Sequence, residues 1–310
     1  MKSQNDGDQW QPAVADLRLQ DRGTADRRKL RRGAMLRQMG RSLAKHGVLI
    51  VVGVAFAFPL AWMILTSLKP LGEAIAFPPV WWPHPLMFRN YPDALSSLPF
   101  WRFLLNTLMY AVVTIVGVAI SSSLVAYGFS RVQWRGRNLL FYVMVSTMLL
   151  PFLSTLIPLF LLYKKLGWIG TYLPLIVPCF FGISVYSTFL LRQFFMTIPR
   201  ELADAARVDG ASEFYIYSRI VLPLSKPAMA TVVLFQFIYC WNDFLGPLIY
   251  LNNPSWYPLS LGLNDILGTY ATNWSWLMAA SSAVTLPIVV LFFLTQRTFV
   301  QGIALTGVKG

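Results

Sequence analysis

Few residues in this chain have the types and spacing to do bond-making chemistry. Two histidines, His46 and His84, stand far apart, and two cysteines, Cys179 and Cys240, sit singly in apolar runs. Neither pair has metal-ligand spacing or forms a nucleophile–base arrangement. There is no GxxxxGK[ST] loop to cradle a nucleotide, and no HExxH, GxSxG or EF-hand pattern. The expectation is a protein that is not an enzyme. Asp243, in WNDF, is the main ionisable residue inside an apolar run. A carrier driven by a proton or sodium gradient usually needs intramembrane carboxylates or broken-helix ion sites. One acid is thin support for that, so transport by this chain would draw its energy from elsewhere.

The other chemistry is recognition. The stretch ELADAARVDGASEFYIYSRIVLPLSKP runs from Glu201 to Pro227 between two apolar segments. Pro199 suits a helix start, where the missing N–H is harmless. Glu201 and Asp204 follow in the early turns, where the helix dipole favours acids. Leu202, Ala205 and Ala206 fall at i, i+3 and i+4 and predict one apolar, small-residue face. Gly210 is placed to end the helix in a left-handed conformation. Ser212 caps a second helix expected over Glu213–Leu222, which Pro223 and Pro227 end. An amphipathic helix resting on lipid is usually rich in Lys and Arg. From Arg200 to Arg219 this stretch has four acids against three bases, which fits a protein partner better.

These residues must be positioned by membrane helices. Charged residues make up 13% of the 310 and hydrophobic ones 56%, where a soluble domain carries roughly 25% charged. Six apolar segments reach the roughly 20 residues a membrane helix needs: Val48–Leu68, and segments within Phe103–Ser130, Asn138–Tyr163, Tyr172–Leu191, Ala228–Leu251 (interrupted by Asp243) and Leu277–Gln296. With the N-terminus inside, 21 of the 26 Lys and Arg fall on inner segments, eleven of them by Lys45. The outer five are Lys69, Arg89, Arg102, Lys164 and Lys165. By the positive-inside rule both termini, and the loop after Pro199, are expected in the cytoplasm. Residues 1–44 read as a basic cytoplasmic extension rather than a nucleic-acid arm, and residues 45–310 as one membrane domain. Prolines inside the spans, Pro151, Pro158, Pro178 and Pro287 among them, predict kinks. Gly117, Ala119, Ser121, Ser122, Ser123 and Ala126 predict close helix packing in the second span.

The polar stretch resembles the EAA loop of ABC-importer permeases. That pattern is EAA, three residues, Gly, nine residues, then Ile-x-Leu-Pro. The chain has Asp204-Ala205-Ala206, Gly210 and Ile220-Val221-Leu222-Pro223 at the same spacing, with Asp204 one methylene shorter than the usual Glu. NTLMYAVVTIVGVAISSSLVAYGFSR from Asn106, WNDFLGPLIYL from Trp241 and the ending GIALTGVKG are similar to the carbohydrate-uptake branch, specifically the smaller permease subunit of maltose-type transporters. The resemblance covers about 45–310.

It implies an all-α fold of six transmembrane helices with a cytoplasmic helix–turn–helix coupling loop at about 199–223. It implies a permease subunit in the plasma (inner) membrane that moves a sugar or sugar-like solute. The implied partners are a second permease, a pair of ATPase subunits and an external solute-binding protein, with lipid around and no nucleic acid. ATP and Mg would be held by the ATPases, and no cofactor by this chain. Glu201, Asp204, Ala205, Ala206, Asp209 and Gly210 would meet the ATPase, and Lys309 and Gly310 end a tail near it. Sugars are held by aromatic faces and by amide or hydroxyl groups. Asn106, Tyr110, Gln236, Tyr239, Trp241, Asn242 and Asp243 are the candidates on the solute path, and each serves equally as a helix–helix hydrogen bonder. A polyol, a glycerol phosphate ester or a polyamine remains an alternative solute for the same machinery, and a secondary carrier an alternative mechanism.

Overall fold

The structure, a computed structural model, describes residues 42–43, 45–269 and 273–307. The basic extension over 1–44 lies outside the described residues except for Ser42 and Leu43, and so do Lys309 and Gly310. The chain separates into two units, Met1–Trp62 and Met63–Gly310. Every regular element among the described residues is helical. In order they are α1 (Lys45–Ser67), α2 (Leu71–Ala74), α3 (Asn90–Ser96), α4 (Phe100–Ser130), α5 (Arg137–Ser146), α6 (Phe152–Lys165), α7 (Leu173–Ile176), α8 (Val185–Thr197), α9 (Arg200–Val208), α10 (Glu213–Ile216), α11 (Leu222–Leu224), α12 (Lys226–Asn242), α13 (Leu245–Tyr250), α14 (Leu259–Thr269) and α15 (Trp274–Gly307).

Among the described residues, Lys45–Ser67, Phe100–Ser130, Leu173–Thr197 and Trp274–Gln296 are each long and apolar enough to cross a membrane, and the number is six when each of two bent pairs, Arg137–Leu149 with Phe152–Lys165 and Glu213–Leu224 with Lys226–Asn242, is counted as one span. The third span, expected as one helix over Asn138–Tyr163, is broken. Its halves, Arg137–Leu149 and Phe152–Lys165, meet at 99°. Leu150 is extended, φ −74° and ψ 121°, because the ring of Pro151 disfavours helical geometry in the residue before it. The fifth span, expected over Ala228–Leu251, is α12 followed by α13, with Asp243 extended between them (φ −67°, ψ 108°).

Helix α4 is the hub of the second unit. Val118, Ala126 and Tyr127 pack with Leu191 and Phe195 of α8 and with Val232 of α12 in one buried cluster. In lipid such contacts rest on close van der Waals fit rather than on water exclusion, and small residues permit the approach. Gly117 shows how close that is. A Cβ there would lie 2.8 Å from the Phe180 ring and 3.2 Å from the backbone of Cys179. Ser121 Oγ donates to the Cys179 carbonyl at 2.8 Å, so the small residues of this span pack as the sequence predicts. At the end of α8, the Arg131 guanidinium donates to the carbonyls of Phe195 and Ile198. The Phe195 carbonyl also accepts the Ile198 N–H at 3.3 Å, and Arg131 ties the ends of α4 and α8 together through the two carbonyls.

Candidate functional site

The polar loop begins at Pro199, which is extended (φ −55°, ψ 137°) and directly precedes α9. The helix closes with Gly210 in the left-handed region at φ +83°. Ala211 N–H donates to Ala206 O at 2.9 Å and Gly210 N–H to Arg207 O at 3.0 Å, the paired bonds of a Schellman ending. A Cβ on Gly210 would meet nothing within 4 Å. The glycine is therefore needed for its backbone, not for room within this chain. Ser212 Oγ accepts from Tyr215 N–H at 3.3 Å and caps α10.

The second helix of the loop departs from expectation. It does not stop at Pro223. Glu213–Ile216 passes into a π-helical turn, Tyr217–Val221, and on into Leu222–Leu224 with Pro223 inside. Proline has no N–H to donate and its ring crowds the carbonyl four residues back. The wider π turn takes up that misfit, and the chain then bends by 79° across Ser225 into α12.

The faces of α9 also sort differently. Ala203, 5% exposed, enters the core, with Ala206 packed beside it. Leu202, Ala205 and Val208 stay exposed, along with Glu201, Asp204, Asp209 and Gly210. Val208 is 89% exposed. Of the six expected coupling residues, five thus share the open side and Ala206 is half-buried. Asp204 is not free: Arg207 Nη1 contacts its Oδ1 at 2.6 Å. Arg207 Nε reaches Glu213 Oε1 at 2.8 Å, and Tyr127 Oη of α4 donates to Glu213 Oε2 at 2.5 Å. The Arg207 guanidinium and the Tyr127 hydroxyl hold the Glu213 carboxyl below the usual carboxylate range. Arg131, Arg200, Asp204, Arg207 and Glu213 line a cleft of about 410 Å³ behind α9.

A second cavity, of about 630 Å³, opens among α4, α6, α12, α13 and the chain around Cys179. Tyr110, Gln236, Tyr239 and Asp243 line it, so four of the seven solute-path candidates come together. Tyr110 Oη donates to Asp243 Oδ2 at 2.8 Å and Gly246 N–H to Asp243 Oδ1 at 3.1 Å. Asp243 thereby caps the first turn of α13. A Cβ at Gly246 would lie 2.8 Å from Asp243 Oδ2 and 2.9 Å from the Leu175 side chain, so a larger residue there must displace one of them. The other three candidates are not among the residues lining this cavity. Asn106 donates to the carbonyls of Ser255 and Tyr257, each at 3.0 Å. Trp241 is buried and donates to Val284 O at 3.2 Å. Asn242 donates to Ile238 O at 2.8 Å.

Sequence reading missed Phe152, Tyr163, Cys179, Ser184 and Tyr250, which also line the cavity. Tyr163 and Tyr250 meet edge to face at 5.4 Å. The signal available for them was proline. Pro151 and Pro178 mark broken or 3₁₀ backbone, and irregular backbone at membrane depth is tolerated where it is buried in protein or lines a cavity. No Lys, Arg or His is among the residues lining the cavity, and Asp243 is their one acid.

Residues 119–304 match the family model described as binding-protein-dependent transport system inner membrane component. The chain is 32% identical over 269 residues to the arabinooligosaccharides transport system permease protein of Bacillus subtilis (strain 168), covering 84% of this chain and 93% of that one. It is 33% identical over 275 residues to the osmoprotective compounds uptake permease protein of Synechocystis sp., covering 85% and 91%. To the diacetylchitobiose uptake system permease protein of Streptomyces coelicolor it is 28% identical, covering 84% and 95%. Its fold is similar to a chain of a bacterial ABC transporter involved in the import of the acidic polysaccharide alginate, with a TM-score of 0.72 at 24% identity over 83% of this chain and 95% of that chain.

Proposed function

The chain belongs to the binding-protein-dependent transport system inner membrane components, multi-pass permeases of ABC importers, and we propose that it carries a neutral sugar or short oligosaccharide through the 630 Å³ cavity. The observation that carries the coupling part of this reading is α9. A helix that leaves Leu202, Ala205 and Val208 in the open, between a left-handed glycine and a basic membrane edge, suits a cleft in another protein. In this reading the partner is a pair of ATPase subunits that bind ATP and Mg. Their closure pushes α9, and the permease, paired with a second permease, turns between inward- and outward-facing states. An external solute-binding protein delivers the sugar. No cofactor is bound by this chain. The Lys and Arg distribution supports an inner-membrane position with both termini in the cytoplasm.

The cavity supports the choice of solute. Tyrosine faces and a few amide and hydroxyl groups suit sugar rings, and a lone carboxylate without a facing cation disfavours an anion. A glycerol phosphate ester is disfavoured for the same reason, while a neutral polyol is the nearest alternative. The deciding experiment is to purify the complex, identify the sugars its external binding partner retains, and measure their uptake into proteoliposomes. Uptake is expected only with ATP inside the ATPase compartment. Uptake by the permease alone down an ion gradient would replace this reading with a secondary carrier, and retention of anionic sugars alone would overturn the choice of solute.

A further inference from the structure

Among the candidate spans of the described residues only α4 contains no proline: Pro59, Pro151, Pro178, Pro227 and Pro287 lie within or start the others. Helix α4 is also 31 residues of unbroken α-helix, and it makes polar bonds to both candidate regions. At the loop end Tyr127 Oη donates to Glu213 Oε2 at 2.5 Å, and the hydroxyls of Ser123 and Tyr217 meet at 2.7 Å. The rings of Tyr127 and Tyr217 lie edge to face at 5.4 Å. Ser123 and Tyr127 are four residues apart on α4, and Glu213 and Tyr217 are four apart on the loop. Each pair therefore shares one helical face, and the two segments run antiparallel along a two-rung seam. Glu213 holds Arg207 of α9 with its other oxygen at 2.8 Å. At the cavity end Tyr110 Oη donates to Asp243 Oδ2 at 2.8 Å. Tyr110 and Tyr127 are seventeen residues apart, about 25 Å along the axis at 1.5 Å per residue.

Resting on the reading of α9 as the coupling helix, we infer that the Glu213–Tyr127 bond, with Ser123–Tyr217 beside it, is the grip through which the loop drives α4, and that α4 delivers the movement to Tyr110–Asp243 at the cavity wall. A displacement of α9 pulls Arg207 and with it Glu213. The two rungs pass the displacement to a helix with no proline at which to bend. Tyr127 and Glu213 are positioning residues for transport, and they touch no solute.

The chain carries its own reporter. Cys179 lines the cavity, and Cys240, the other thiol, is 0% exposed. The test uses the assembled complex in proteoliposomes, with and without a non-hydrolysable ATP analogue, and follows N-ethylmaleimide modification of the Cys179 peptide by mass spectrometry. The unaltered complex is expected to change its Cys179 rate when the analogue binds. Tyr127→Phe and Glu213→Gln are each expected to lose that change and to lower uptake about tenfold or more, with assembly and ATP hydrolysis retained. A full nucleotide response in both variants overturns the grip. Loss of assembly in both makes the bonds structural and also overturns it, as does an unresponsive Cys179 in the unaltered complex. Failure of the underlying reading shows separately, as normal ATPase association in Ala205→Asp.

Discussion

At the scale of single residues, two positions carry most of the argument. Gly210 sits at φ +83° with open space where a Cβ would go. Aspartate visits the left-handed region more readily than other residues with a side chain, so Gly210→Asp should leave membrane insertion and the loop intact. If an ATPase cleft closes over Gly210, the same change should abolish ATPase association and ATP-coupled uptake. Co-purification with the ATPase and uptake assays read the two effects, and normal uptake would remove Gly210 from the interface. Asp243 holds Tyr110 and the first turn of α13 at once. Tyr110 is 2% exposed, so Asp243→Ala leaves its hydroxyl without its partner, at a cost of about 1–3 kcal/mol. Thermal unfolding in detergent should show that loss, and Asp243→Asn, whose oxygen can still accept from Gly246 N–H while its NH₂ donates to the Tyr110 oxygen, should show less. Equal losses in the two variants would mean that the charge itself, not its hydrogen bonds, holds the turn.

At the scale of elements, the fit of α4 and the openness of α9 make separate predictions. Gly117→Val drives a branched side chain into Phe180, which already lies 2.8 Å from the Cβ position. Overpacking of this kind costs about 1–3 kcal/mol. Stability should fall accordingly and partly return when Phe180→Ala is added, and a purely additive double variant would show that the two residues do not share the space. Ala205→Asp places a charge at an exposed position of α9. Its expected effect is loss of ATPase binding and of uptake with unchanged membrane levels. The loop helices were legible because their punctuation is local: Pro199, Gly210 and Ser212 each act within four residues. The π turn at Tyr217–Val221 was not legible. A proline in a helix can end it, kink it or be absorbed by a wider turn, and the choice depends on what the neighbouring side chains hold in place. Here Tyr217 is held on Ser123, ninety-four residues earlier in the chain.

At the scale of the whole molecule, the orientation reading predicts that a cysteine engineered near Met1 is not labelled by an impermeant thiol reagent from outside intact cells. Labelling there would invert the topology and place α9 away from any cytoplasmic ATPase. The membrane class, the places of the apolar segments along the chain and the helix–turn–helix that follows Pro199 were all determined by the sequence alone. Each follows from properties that neighbours in the chain share, namely apolar length, the placing of Lys and Arg, and Pro and Gly punctuation. The cavity was decided by the tertiary structure. It brings Tyr110 to Asp243 across 133 positions and adds Tyr163, Cys179 and Tyr250, while Asn106 and Trp241 bond distant carbonyls and the exposed Asn242 bonds Ile238 O in its own helix. The physical reason is that a polar side chain in a membrane helix must find a partner, and sequence shows the need without the address. Which side chain faces the cavity and which fastens two helices depends on how α4, α12 and the broken third span pack, and that packing is settled by contacts between residues distant in the chain.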